Sequence, residues 1–116
     1  MAMLTKEQIL AAEDRRQESV EVPEWGGTVI VRTMSALQRD RWQLALMRNR
    51  EDPGSVSPSA MLVASCLVNE AGEPLFTPAD VAALEAKSGA ALSRVFAVAA
   101  KLNVLGQKDA DELKGN

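Results

Sequence analysis

The sequence has no histidine and no tyrosine, and its 116 residues hold one cysteine, two tryptophans and two phenylalanines. Without histidine, Ser-His-Asp and Cys-His nucleophile systems are excluded, and so is every zinc site with a histidine ligand. Cys66 alone makes neither an all-thiolate zinc site nor an intrachain disulfide, which suits a reducing compartment. No apolar run reaches the roughly 18 residues that a bilayer-spanning helix needs. The segment from Met1 to Leu10 lacks the basic flank and long apolar run of a signal peptide. Positive charge is also short: 13 Lys and Arg face 16 Asp and Glu, for a net charge of −3. An extended nucleic-acid footprint rests on summed positive charge, so none is expected. These absences lead to the expectation of a soluble, intracellular protein without a membrane partner.

The motifs of catalysis are missing as well. There is no G-x-x-x-x-G-K-[ST] and no G-x-G-x-x-G to cradle a phosphate. No serine is followed three residues later by lysine, so that acylation motif is absent. Asp109 and Asp111 form a D-x-D pair, but the rest of a calcium loop is lacking and the two read as first-turn acids of a terminal helix. The pairs Asp80/Glu85 and Glu70/Glu73 fall on solvated elements, where nothing raises a carboxyl pKa for acid–base work. The expectation is a protein that is not an enzyme, with no cofactor, no metal and no small-molecule substrate.

What is present is an ordinary globular balance, 47% hydrophobic and 25% charged, rich in alanine. Few aromatics and much alanine favour a closely packed helical core. The length gives one domain, 1–116. Thr5 and Gln8 have the spacing of a capping box, which predicts a first helix over 5–16 with Ile9 and Leu10 as its apolar contribution. Val20-Glu21-Val22 and Thr28-Val29-Ile30-Val31-Arg32 read as the strands of a hairpin over 20–32, and Gly26 and Gly27 let the chain reverse. Trp25 at the turn is either a plug over a helix or an anchor for another protein. Ser35 and Gln38 repeat the capping box ahead of the longest helix, Ala36 to Glu51. Its apolar residues fall on two sides, Leu37, Leu44 and Met47 on one, Trp42 and Leu46 on the other. Such a helix is either sandwiched in the fold or offers one side to a partner.

A Pro/Gly/Ser loop over 51–58 precedes a helix opened by Ser57 and Pro58, apolar nearly all round from Ala60 to Val68 and holding Cys66 as a buried thiol. Thr77-Pro78-Ala79-Asp80 opens a short helix ending near Lys87. Ser88 caps the cleanest amphipathic helix, in which Leu92, Val95, Phe96, Ala99 and Leu102 share one arc and Asn103 closes the end. A short polar helix over 107–114 follows. The expected fold is mainly α (α+β): a small helical domain of about four to five helices, core over 35–103, with an N-terminal two-stranded β-hairpin.

The stretch Val20-Glu21-Val22-Pro23-Glu24-Trp25-Gly26-Gly27-Thr28-Val29-Ile30-Val31-Arg32, followed by Met34-Ser35-Ala36 and Arg39-Asp40-Arg41-Trp42, resembles the tail assembly chaperones of long-tailed bacteriophages and prophages. Ala64-Ser65-Cys66-Leu67-Val68, the turn from Gly72 through Leu75-Phe76-Thr77 to Asp80-Val81, the segment from Lys87-Ser88 to Leu102-Asn103 and the acidic Asp109…Glu112-Leu113 turn agree with it. The resemblance implies a non-enzymatic protein that binds the tape measure protein and recruits tail tube protein around it. It further implies action in the cytoplasm of the bacterial host, absence from the mature virion, self-association, and a longer frameshifted form made from the same gene. The family assigns no contact residues to this chain. Geometry makes Trp25, Trp42 and Leu46 the candidate partner contacts. The alternatives are a structural head–tail or tail-terminator protein kept in the virion, and a small DNA-binding regulator, which the acidic pI and scattered arginines disfavour.

Overall fold

The computed structural model describes residues 3–54 and 57–103. The expected polar helix over 107–114, with Asp109 and Asp111, lies outside them. Helix α1 (Lys6–Ala11) begins at the Thr5 capping box, both arms of which form, at 3.2 and 2.9 Å. It stops short of the expected Arg16. The chain over 12–16 belongs to no helix or strand, and Arg15 donates from Nε and Nη2 to the Thr33 carbonyl oxygen at 3.1 and 2.8 Å. Strand β1 (Gln17–Val22) then pairs antiparallel with β2 (Gly27–Arg32), Val20 opposite Val29. The strand starts three residues earlier than hydrophobic alternation indicates. Gln17, Glu18 and Ser19 are exposed and polar and give no periodic signal. Pro23–Trp25 makes a 3₁₀ turn that Gly26 ends at φ 74°, while Gly27 already belongs to β2.

Helix α2 (Ala36–Glu51) has its Ser35–Gln38 capping box complete. Helix α3 (Pro58–Cys66) starts as its Ser57 cap and first-position proline require, but the expected helix to Val68 ends two residues early. Leu67–Val68 is strand β3, which adds to the hairpin in the order β1-β2-β3 with Ile30 opposite Val68. A short, unbroken apolar run has no periodicity to separate buried helix from buried strand, and here the free edge of β2 decides. Asn69–Gly72 then turns the chain back. Asn69 Oδ1 accepts from the amides of Ala71 and Glu73, Gly72 adopts φ 83°, and Leu75 N–H reaches the Leu67 carbonyl at 3.0 Å. Glycine suits position 72 by its left-handed backbone; a Cβ there would only push aside the Arg32 guanidinium, whose Nη1 would lie 2.8 Å away.

Pro78–Asp80 is a 3₁₀ turn leading into α4 (Val81–Glu85), and α5 (Gly89–Leu102) closes the described chain. Helices α3 and α5 pack together, α5 covers β1 and β2, and α2 lies on α3. Val22, Val31, Trp42, Leu62, Val63, Cys66 and Val95 are fully enclosed where these elements meet. The architecture is mainly helical with a three-stranded antiparallel sheet, which matches the expected class and adds one strand to it.

Candidate functional site

Helix α2 divides its apolar residues between two environments. Trp42, Ala45 and Leu46 point inward, and Trp42 is 0% and Leu46 8% exposed. On the other side Leu37, Leu44 and Met47 are 45–58% exposed. The seven-residue step from Leu37 to Leu44 and the three-residue step to Met47 make one stripe along the helix. Arg41 and Arg48 flank it, and Asp40 and Glu51 lie along it, all four exposed. Helix α1 repeats the pattern. None of its residues is buried, and Leu4, Ile9 and Leu10 are all more than half exposed. Six residues of isolated helix are marginal in water, so α1 gains most of its stability only when its apolar side is covered.

Of the three candidate contacts, Trp42 and Leu46 therefore lie in the core, and the side that α2 leaves open is the opposite one. Trp25 is half-buried at the hairpin turn, packed against the core, and lines with Phe76 and Leu84 a groove of about 430 Å³. The turn is held there by Glu24, whose carboxylate accepts from Arg94 Nη2 at 2.8 Å. That hydrogen bond keeps the Glu24 carboxyl below the usual carboxylate range. The structure does not bring Trp25, Trp42 and Leu46 together into one surface. The Leu37–Leu44–Met47 stripe is what sequence reasoning did not select, although its spacing was legible. The choice between two apolar sides depended on where α3 packs.

A polar pin sits behind these surfaces. Asn103 at the end of α5 accepts from the Met34 amide through Oδ1 at 2.8 Å. Its Nδ2 donates to Cys66 Sγ at 3.4 Å and to the Ala99 carbonyl at 2.7 Å. One side chain thus ties α5 to α3 and to the start of α2. Burial pushes the Cys66 thiol up to about 11, against the smaller opposite pull of the Asn103 hydrogen bond. Nearby, partial burial and then the charge of Arg32 lower the Arg15 guanidinium. The folded state favours the neutral Cys66 thiol, so this group's contribution to stability is complete below the unfolded thiol's pKa near 9 and fades as pH rises toward 11. Cys66 in the folded protein is expected to resist alkylation at pH 8 and to react once urea unfolds the chain, which a mass-shift assay reads directly.

Among the described residues no three Cys, Asp or Glu side chains gather as a metal would require, and no helix is long and apolar enough to cross a membrane. Comparison with protein families matches residues 5–116 to the model described as phage tail assembly chaperone. Among solved structures, the tail assembly chaperone of bacteriophage HK97 superposes with a TM-score of 0.62 at 24% identity, over 83% of this chain and 90% of that one. At that identity the likeness is one of fold. No curated protein matches the chain.

Proposed function

Because this chain belongs to the phage tail assembly chaperone family, we propose that it binds the tape measure protein and helps recruit tail tube protein to it, without catalysing a reaction. The family match over residues 5–116 carries this reading. The surface chemistry supports it. A long amphipathic client exposes apolar stripes, and a chaperone shields them with moderate apolar contacts. The stripe Leu37–Leu44–Met47, with charges of both signs beside it, offers such contacts along about 15 Å of rigid helix. Trp25 and its groove supply a second contact. Trp42 and Leu46 act from behind by holding α2 in place. Helix α1, with Ile9 and Leu10 exposed and none of its residues buried, offers apolar surface for self-association. The place of action is the host cytoplasm during assembly, and the finished virion lacks the protein.

Co-expression with the tape measure protein of the same gene cluster tests this. The client is expected to be soluble and co-purified only with this chain. The variant Leu37→Ser/Leu44→Ser/Met47→Ser is expected to lose at least about tenfold in client binding while each exposed change alters stability by only about 0.5 kcal/mol. Undiminished binding by that variant would move the contact off α2. Failure of the wild-type chain to solubilise any client would overturn the chaperone reading, and a stoichiometric copy in purified virions would make the protein structural.

A further inference from the structure

Three arginines that lie apart in the sequence come together at the start of α2. Arg15 and Arg16 precede β1 and Arg39 lies early in α2; with Thr33, Met34 and Leu102 they line a cleft of about 530 Å³. Two of them are held in place by neutral oxygens. Arg15, fixed on the Thr33 carbonyl, also reaches Gln38 Oε1 at 3.4 Å, and Arg39 Nη1 donates to the Asn103 carbonyl at 3.4 Å. Arg16 is exposed, and its guanidinium has no hydrogen-bond or ion-pair partner among the described residues. None of the three stands within ion-pairing distance of a carboxylate among the described residues. The one described acid at the cleft, Asp14, is exposed, and Arg32 adds its repulsion to Arg15. The aligned amides of α2, a helix of 16 residues, add positive potential at its start. A chain of net charge −3 thus carries a concave site where positive charge is gathered and left unneutralised by the residues described.

We propose that this cleft binds the carboxylates of an acidic segment of a partner protein. Guanidinium groups pair with carboxylates through parallel N–H···O bonds, and Arg16 and the unused Nη1 of Arg15 are donors left for that. Charge selects an anion, and the surroundings select a peptide. Met34, Ala36 and Leu102 set apolar surface beside the arginines, which suits an aliphatic side chain next to the acid. A nucleic acid needs a continuous basic track, whereas Glu13, Asp14 and Asp40 are exposed next to these arginines in the chain. Ala36 lines the cleft and Leu37, the first residue of the exposed α2 stripe, follows it, so a partner lying along α2 has the cleft within reach. The inference rests on the arginines and holds whether or not the stripe binds the client.

The test is titration of the ¹⁵N-labelled full chain with two capped hexapeptides, one of glutamate and leucine, the other with glutamine in place of every glutamate. With the glutamate peptide the amides of Thr33, Ser35 and Ala36 are expected to shift, and the binding weakens with salt. The glutamine peptide is expected to bind at least about tenfold more weakly. Arg16→Glu is expected to lower glutamate-peptide affinity at least about tenfold, while Arg48→Glu, the same change of charge near the other end of α2, leaves it within about twofold. If Arg16→Glu fails to fold, Arg16→Gln carries the test with an expected loss of about threefold. Equal binding of both peptides, no shift at these amides at about 1 mM peptide, or equal losses in Arg16→Glu and Arg48→Glu would each overturn the proposal. So would inorganic phosphate or a single-stranded oligonucleotide that shifts the same amides at lower concentration than the peptide. Peptide binding that tightens at least about tenfold in Asp109→Asn/Asp111→Asn/Glu112→Gln would also overturn it, by making this chain's own acids the occupant.

Discussion

Trp42→Ala is expected to destabilise the protein by about 3–5 kcal/mol, a large part of the 5–15 kcal/mol available to a domain of this kind. Trp42 is the largest fully enclosed side chain and lies on the inner side of α2, where that helix meets α3. Its removal leaves a cavity that two helices cannot close without moving. Trp42→Phe gives a contrasting result. The indole Nε1 of Trp42 is buried and has no hydrogen-bond partner among the described residues. An orphaned donor already costs about 1–3 kcal/mol, so phenylalanine loses packing but also removes that penalty. The expected net loss is about 1 kcal/mol, well below that of alanine. Urea unfolding followed by circular dichroism measures both, and an unchanged m-value attributes the difference to stability. Equal losses for the two variants would show that the indole N–H carries no penalty.

Asn103→Ala is expected to cost about 2 kcal/mol although the residue is only half-buried, because it strands the Met34 amide. Met34 is 8% exposed, so water replaces the lost bond poorly. The same change removes the Nδ2 bonds to Cys66 Sγ and Ala99 O, loosening the end of α5 from α3. Hydrogen exchange at the Met34 amide is expected to accelerate, and Asn103→Ala combined with Cys66→Ala should cost less than the sum of the two singles. Strict additivity would mean that the contact between Asn103 and Cys66 does no coupling. A variant that unfolds at room temperature would place the pin among the dominant interactions of the fold.

The local devices were legible in the sequence because they are chemistry between near neighbours. The Thr5–Gln8 and Ser35–Gln38 boxes, the Ser57 and Ser88 caps and the proline at position 58 each start a helix where the spacing predicts one. The amphipathic arc of α5 buries Val95, Phe96 and Ala99 as its periodicity requires. The hairpin was legible through the alternation of Val20 and Val22 and the glycines at its turn, though not through Gln17–Ser19, where pairing comes from backbone and not from side-chain pattern.

The candidate site was legible only in part. The two apolar sides of α2 follow from helical geometry, and so does the distance between Trp42 and Leu44 around the helix. Which side faces the core does not, because both offer residues of similar hydrophobicity. Similarly, Ile9 and Leu10 are the apolar contribution of α1, yet both are exposed, because no described element packs over them closely enough to bury them. Asn103 was legible as a helix end, but its bonds to Met34 and Cys66 span 69 and 37 residues of sequence.

Residue order was enough to give the helix starts, the hairpin turn, the exclusion of histidine-based chemistry and, through resemblance, the family. Tertiary structure alone decided that Leu67–Val68 leaves the helix to join β2, that Trp42 turns inward while Leu37, Leu44 and Met47 turn outward, and that β1 pairs on its β2 side alone among the described residues. The division has a physical reason. Caps and turns are settled within a few residues by local hydrogen bonds and backbone angles. The fate of an apolar residue or a strand edge is settled by whichever distant element reaches it first, and no local pattern records that encounter.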